Sequence, residues 1–201
     1  MSRHIFARLF TRRTALLVLA LGLWLGPVCQ AWADDLSGVV LVNGRPQKDV
    51  VVWLVGGDAL PPAPKKIVLD QRQLQFKPHV LAVRTGTQVE MPNSDRVFHN
   101  VFSFHDGKRF DLGLYPVGTS RTVTFDRPGL SRIFCNIHPN MAAYVMAVDS
   151  EFFAVTDPSG QFLIAAVPPG TYVYHAWHPG GATLTGSASV DGDTPLEVLW
   201  P

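Results

Sequence analysis

The sequence predicts an all-β chain built from β-sandwiches, and three observations predict it. Short runs rich in Val, Phe, Tyr and Thr recur between Gly, Pro, Asn and Asp residues. No stretch after residue 34 keeps an amphipathic helical period over several turns. Many brief strands at this spacing suit packed sandwiches rather than one open sheet.

The first predicted strand is Gly38 to Val42, and Asn43-Gly44 behind it is a hairpin signal, because both residues tolerate positive φ. Val50 to Leu54 follows, then Leu60-Pro61-Pro62-Ala63-Pro64-Lys65-Lys66, a stiff polar connector. His79 to Val83 and Thr87 to Met91 are strands joined by a turn at Thr85-Gly86. Counting by two from a water-facing Arg84 turns Val80 and Ala82 outward and His79, Leu81 and Val83 inward. Thr122 to Phe125, Ser131 to Cys135 and Ala143 to Val148 complete a middle series. Gln161 to Ala165, Tyr172 to Trp177 and Leu196 to Trp200 close the chain, with Pro168-Pro169-Gly170 feeding the second of them.

These elements fall into two units. Residues 67–149 make a self-contained series, and the pieces on either side, 36–60 and 150–201, make a second, discontinuous sandwich. The expected arrangement is the first unit inserted in the second. The alternative is two tandem domains, with 36–60 as an N-terminal extension.

Residues 1–33 read as an export signal. Arg3, Arg8, Arg12 and Arg13 form a basic n-region, Ala15 to Leu25 an apolar core, and Ala31-Trp32-Ala33 a small-x-small cleavage site before Asp34. The apolar run is too short for a membrane span. Thr14-Ala15 follows Arg12-Arg13 where a twin-arginine signal wants other residues, so the general secretory route is favoured. Cleavage after Ala33 leaves 168 residues with 13 basic and 16 acidic side chains, a net of −3. Nothing in that balance suggests nucleic acid, and no second hydrophobic span calls for stable membrane insertion. A periplasmic or secreted product is expected.

Cys29 could suggest a lipoprotein anchor, but Pro27-Val28 before it fits one poorly, so it is expected to leave with the signal and Cys135 stands alone. Exported proteins usually pair their cysteines, so an odd one is an inert buried thiol, an intermolecular bridge, a nucleophile or a metal ligand. Its neighbours favour the last. Cys135-Asn136-Ile137-His138-Pro139-Asn140-Met141 is a Cys-x2-His-x2-Met run, and His99 stands 36 residues upstream. Pro139 keeps His138 out of the α region, so the run is a tight loop between two strands rather than one helix face. A loop of that kind can wrap three donors round one ion, with His99 supplied from another connection. One thiolate, two imidazoles and a thioether are the donor set of a blue-copper site. Taken singly, each residue reads as core or surface. A catalytic Cys/His pair is the next reading, weakened by the lack of an oxyanion element around Cys135, and zinc suits a thioether less well than copper does.

Residues 74–149 resemble the cupredoxins, the amicyanin and plastocyanin group of type 1 copper proteins. The matching stretches are Val83-Arg84-Thr85-Gly86-Thr87-Gln88-Val89, Pro92-Asn93-Ser94-Asp95, His99-Asn100-Val101, Val123-Thr124-Phe125, Pro128-Gly129 and Ile133-Phe134-Cys135. The loop is similar to amicyanin's more than to plastocyanin's, whose methionine lies farther on. The resemblance implies a Greek-key sandwich in which His99, Cys135 and His138 are equatorial copper ligands and Met141 the axial one. It also implies that Asn100 ties the ligand loops together by hydrogen bonding, and that electrons enter near His138 through an apolar rim that docks partners transiently. The partners it implies are redox proteins, a dehydrogenase of the methylamine-utilisation type or a cytochrome. The outer pieces, with Gly38-Val39-Val40, Gly44-Arg45-Pro46, Asp157-Pro158-Ser159-Gly160-Gln161-Phe162 and Pro168-Pro169-Gly170-Thr171-Tyr172, resemble the carboxypeptidase regulatory-like, transthyretin-like sandwich.

Three more histidine positions bear on the site. His79 starts a strand at the expected metal end, where it is a capped core-edge residue, a hydrogen-bond partner of a ligand or an additional ligand. His175 and His178 read as an aromatic strand end, and His105 as a loop residue; Met91 and Met146 read as core. No His-x-His pair occurs, so turnover of a substrate is not expected and the protein is read as a non-enzyme. The expected function is a single-electron carrier cycling Cu(I) and Cu(II). The alternatives are a copper-delivery module without redox turnover, and a structural or interaction protein with a copper site.

Overall fold

The computed structural model describes residues 33–56, 67–104, 107–192 and 195–201. Among them every regular element is a strand. The first group is β1 Asp34–Val42, β2 Arg45–Pro46 and β3 Val51–Val55. The middle series is β4 Ile67–Val68, β5 Asp70–Arg72, β6 Gln75–Lys77, β7 Val80–Arg84 and β8 Thr87–Pro92. It continues with β9 His99–Ser103, β10 Phe110–Tyr115, β11 Ser120–Phe125, β12 Gly129–Phe134 and β13 Ala142–Val148. The last group is β14 Phe153–Val155, β15 Gln161–Val167, β16 Gly170–Trp177, β17 Leu184–Val190 and β18 Leu196–Trp200. The expected export segment up to residue 32, the connector 60–66 and His105 lie outside the described residues. No helix among the described residues is long and apolar enough to cross a membrane.

Strand pairing separates the middle series from the flanks. A five-stranded sheet runs β10-β9-β12-β13-β7, and β11-β8-β4 makes a smaller one. The flanking strands pair among themselves, as β15-β1-β18 with β2 on β1, and as β14-β3-β16-β17. The Asn43-Gly44 turn closes β1 on β2 with both residues at positive φ, as an Asn-Gly hairpin requires.

Side-chain alternation then stacks the sheets around three cores. Val89, Met91, Val123 and Phe125 from the smaller middle sheet meet Val101, Ile133, Ala143, Val145 and Ala147 from the five-stranded one. Val40, Ile164 and Val198 meet Val52, Leu54 and Ala176 in the flanking sandwich. A third core joins Val80, Ala82, Met146 and Val148 to Val51, Trp177, Trp53 and Phe153. It explains two sequences that read as unbroken apolar runs. β13 sends Ala143, Val145 and Ala147 one way and Met146 and Val148 the other, and β3 divides Val52 and Leu54 from Val51 and Trp53. A strand buried on both faces has no polar side to show.

Leu81 and Val83 turn into the first core as expected, while His79, expected inward with them, is half-exposed beside Asp49. The outward face of β7 does not meet water. Val80 and Ala82 are buried, because the flanking sandwich covers them. Arg84 leaves that interface to pair with Glu151 at 2.9 Å.

Candidate metal centre

Two connections bring the donors to one end of the five-stranded sheet. His99 opens β9, and the loop before it, 93–98, comes up from β8. Tyr115 at the end of β10 lies opposite His99 in the ladder. Cys135 follows directly on β12, and β13 begins just after Met141. The loop between them is a closed turn: the Met141 amide donates to the His138 carbonyl at 2.9 Å and the Cys135 amide to the Met141 carbonyl at 3.2 Å.

The result is one tight group of donor atoms. Nδ1 of His99 lies 3.1 Å from Nδ1 of His138, and Sγ of Cys135 lies 3.9 Å from the first and 3.5 Å from the second. His99 and Cys135 are buried and His138 half-buried, nearest the surface. Met141 is buried at the end of the same loop.

Asp95 fixes the tautomer of His99. Its Oδ2 stands 3.0 Å from His99 Nε2, and a carboxylate can only accept, so Nε2 carries the proton. In the neutral ring Nδ1 is then a lone pair, and it faces His138 and Cys135. Two imidazole lone pairs and a sulfur held this close repel one another unless a proton or a cation lies among them. Asp95 is itself held firmly. Burial raises its carboxyl, but the Leu74 and Arg96 amides and the His99 ring outweigh that and bring it down to about 2.

Behind the donors lies a polar anchor. Gln71 donates from Nε2 to the Pro92 carbonyl at 3.0 Å and to the Tyr115 hydroxyl, which donates to the Met91 carbonyl at 2.9 Å. Asn93 donates to the Val97 and Tyr115 carbonyls, at 2.8 and 3.2 Å, and so shapes the loop that carries Asp95 and His99. Burial pushes the Tyr115 phenol up to about 12.

The donor set fits copper. A cysteine sulfur and two imidazole nitrogens at mutual distances of 3.1 to 3.9 Å lie within a few tenths of an ångström of the roughly 3.3–3.8 Å separations expected round a small first-row ion with bonds of about 2.0 Å to nitrogen and 2.3 Å to sulfur. Soft sulfur with imidazole selects copper or zinc over the oxygen-loving ions.

One expectation needs correction, and the three readings of His79 narrow to a capped edge residue. Asn100 does not tie the ligand loops together: its Nδ2 donates to Asp111 on β10 at 2.7 Å, and its Oδ1 is buried without a hydrogen-bond partner among the described residues. His79 is not in the donor group. Its ring is half-exposed and sits 3.0 Å from Asp49 Oδ2, edge-on to Tyr144. It lies at the metal end of β7, but β7 is the outermost strand, and the acid beside it on the flanking sandwich takes the ring. His175 packs on Trp53 and bonds Thr185 at 2.8 Å, and His178 meets Trp200 edge-on. Met91 and Met146 lie in the cores as expected. Asp95 carries little signal of its own in the sequence beyond its place four residues before His99.

No protein-family model matches the chain, and no curated protein matches it. Among solved structures it is similar to a purple cupredoxin from Nitrosopumilus maritimus, with 24% identity over 41% of this chain and 98% of that one, at a TM-score of 0.37. A proline-to-alanine variant of oxidised amicyanin gives 24% identity over 41% of this chain and 82% of that one, at a TM-score of 0.38. The copper-containing nitrite reductase of Thermus scotoductus gives 21% identity over 54% of this chain and 28% of that one, at a TM-score of 0.41.

Proposed function

We propose that this chain is an exported single-electron carrier whose copper would be held by His99, Cys135 and His138, with Met141 as a weak fourth donor. The observation that supports it most is the convergence of one buried thiol and two imidazole nitrogens, one of them aimed by Asp95. Copper bound there supplies a one-electron Cu(I)/Cu(II) couple. The protein's part is to hold the donors still. His99 is locked by Asp95, Cys135 and His138 share a loop clipped by two backbone bonds, and β9, β12 and β13 anchor the ends. A site that moves little between charge states exchanges electrons with little rearrangement.

Access is through His138. Val97, Phe98, Val117 and Ile137, on the loops around it, are exposed although apolar. Such a rim suits brief, dry contact with a redox protein, such as a dehydrogenase or a cytochrome. On this reading residues 1–33 direct export, and residues 67–149 form the copper unit, set within a second, transthyretin-like sandwich from 36–60 and 150–201.

Voltammetry of the copper-loaded protein tests the carrier directly. A reversible one-electron wave, with Cu(I) retained against a competing chelator, is the expected result. An irreversible wave with ready loss of Cu(I) would point to copper delivery instead.

A further inference from the structure

Charge is divided unevenly along the chain. Residues 67–149 hold nine basic and seven acidic side chains, while 34–66 and 150–201 together hold four basic and nine acidic. After residue 149 there is no Lys or Arg at all. The donor-bearing unit is therefore the cationic part of a chain that is acidic elsewhere.

At the metal end this bias becomes local. The loops 93–98, 116–119 and 135–141 and the Gln73-Leu74 turn contain one carboxylate, Asp95. Its oxygens already accept from the Leu74 amide at 2.7 Å, the Arg96 amide at 2.8 Å and His99. The cations have no such engagement. Arg121 lies over the Tyr115 ring, 5.8 Å from its centroid, and Tyr115 stands opposite His99. Arg96 precedes Val97 and Phe98. Neither guanidinium makes an ion pair among the described residues, whereas Arg72 pairs with Asp70, and Lys108 at the far end of the sheet with Asp126. Lys77 donates to Gln73 at 3.2 Å and makes no ion pair among the described residues.

We propose that this end of the molecule is a docking face for a redox protein that presents carboxylates around an apolar centre. Arg96 and Arg121 supply the charge contacts, and Val97, Phe98, Val117 and Ile137 the dry centre. Opposite charges at the rim raise the encounter rate and orient the partner, and salt weakens them. The proposal rests on the copper reading, because an electron-transfer partner needs a metal to reach.

Two probes test it. Hexacyanochromate(III), a redox-inert trianion, is added to the metal-free protein and its line broadening mapped on amide resonances. Broadening centred on 94–98 and 116–121 is expected; broadening centred on Lys108, Arg109 and Arg127, or none, would overturn the proposal. Ferricyanide then oxidises the Cu(I) protein in stopped flow, and the rate constant should fall about tenfold between low and physiological-to-high salt. Arg96→Glu with Arg121→Glu should reverse that slope while the copper spectrum stays unchanged, and Arg96→Gln with Arg121→Gln should flatten it. The net −3 charge of residues 34–201 predicts the opposite slope, so a rate that rises with salt in the wild type would overturn the proposal. Failure of the copper reading shows separately, as absence of a thiolate-to-copper band. It removes the redox partner whatever the anion map shows.

Discussion

Asp95 Oδ2 lies 3.0 Å from His99 Nε2, and this bond decides which nitrogen of His99 faces Cys135. A carboxylate behind an imidazole makes the ring a stronger donor and favours the more highly charged metal state.

Asp95→Asn should therefore weaken copper binding about 10- to 100-fold. If a tenfold loss falls on Cu(II) alone, the reduction potential rises by about 59 mV for this one-electron couple. Voltammetry beside a Cu(II) competition titration reads both. An unchanged potential and affinity would show that the backbone alone positions His99.

The third core joins the middle series to the flanking sandwich, so the two should unfold together. Trp177 is buried there, against the Tyr144 ring and in one core with Val80, Ala82, Met146 and Val148. Trp177→Ala should cost about 3–5 kcal/mol and lower a single, shared unfolding transition. Two calorimetric transitions, only one of them moved, would contradict this.

Gly160 sits at φ +73 under the β1–β2 hairpin, and an added Cβ would stand 2.8 Å from the Val40 carbonyl oxygen and 3.0 Å from the Gln47 nitrogen. Both neighbours are backbone, so neither can turn aside. Gly160→Ala should lose about 1–3 kcal/mol in urea unfolding with the copper spectrum intact. A loss under about 0.5 kcal/mol would mean the turn relaxes freely.

Tyr115 gives the protein an alkaline limit. Its folded pKa of about 12 stands above the ordinary value of 10.0, so the unfolded chain releases this proton first. Stability is full below pH 10 and falls by roughly 2–3 kcal/mol as pH rises through 12. Tyr115→Phe should flatten that decline while costing about 1 kcal/mol at neutral pH through its lost hydrogen bonds. Parallel alkaline unfolding curves for the two proteins would refute the assignment.

The longer strands were legible wherever one pattern ruled them. β1, β8, β11, β13 and β16 follow the expected runs because Val, Phe, Tyr and Thr at strand spacing leave little choice. Others hid for physical reasons. β10 carries Gly113 at φ +64 and a register shift between Asp111 and Leu114, which breaks its alternation. β17 reads as small and polar because it is an edge strand whose Gly186 lies against the Tyr174 ring. β9 starts on His99 itself, so its first residue looked like loop chemistry.

The donors were legible for the opposite reason. Cys135 and His138 lie three residues apart, so spacing alone constrains their geometry, and only His99 of the grouped donors had to be found at a distance. Asp95 escaped because an Asp in a turn is ordinary until its partner's position is known. The Asn100 expectation failed because its Nδ2 is taken by Asp111 on β10, at 2.7 Å.

The most direct test is the visible and electron paramagnetic resonance spectrum of the copper-loaded mature protein, run beside Cys135→Ser. The account predicts an intense thiolate-to-copper band with narrow parallel hyperfine splitting, both abolished in Cys135→Ser. A spectrum without that band, or one unchanged by the substitution, would contradict it.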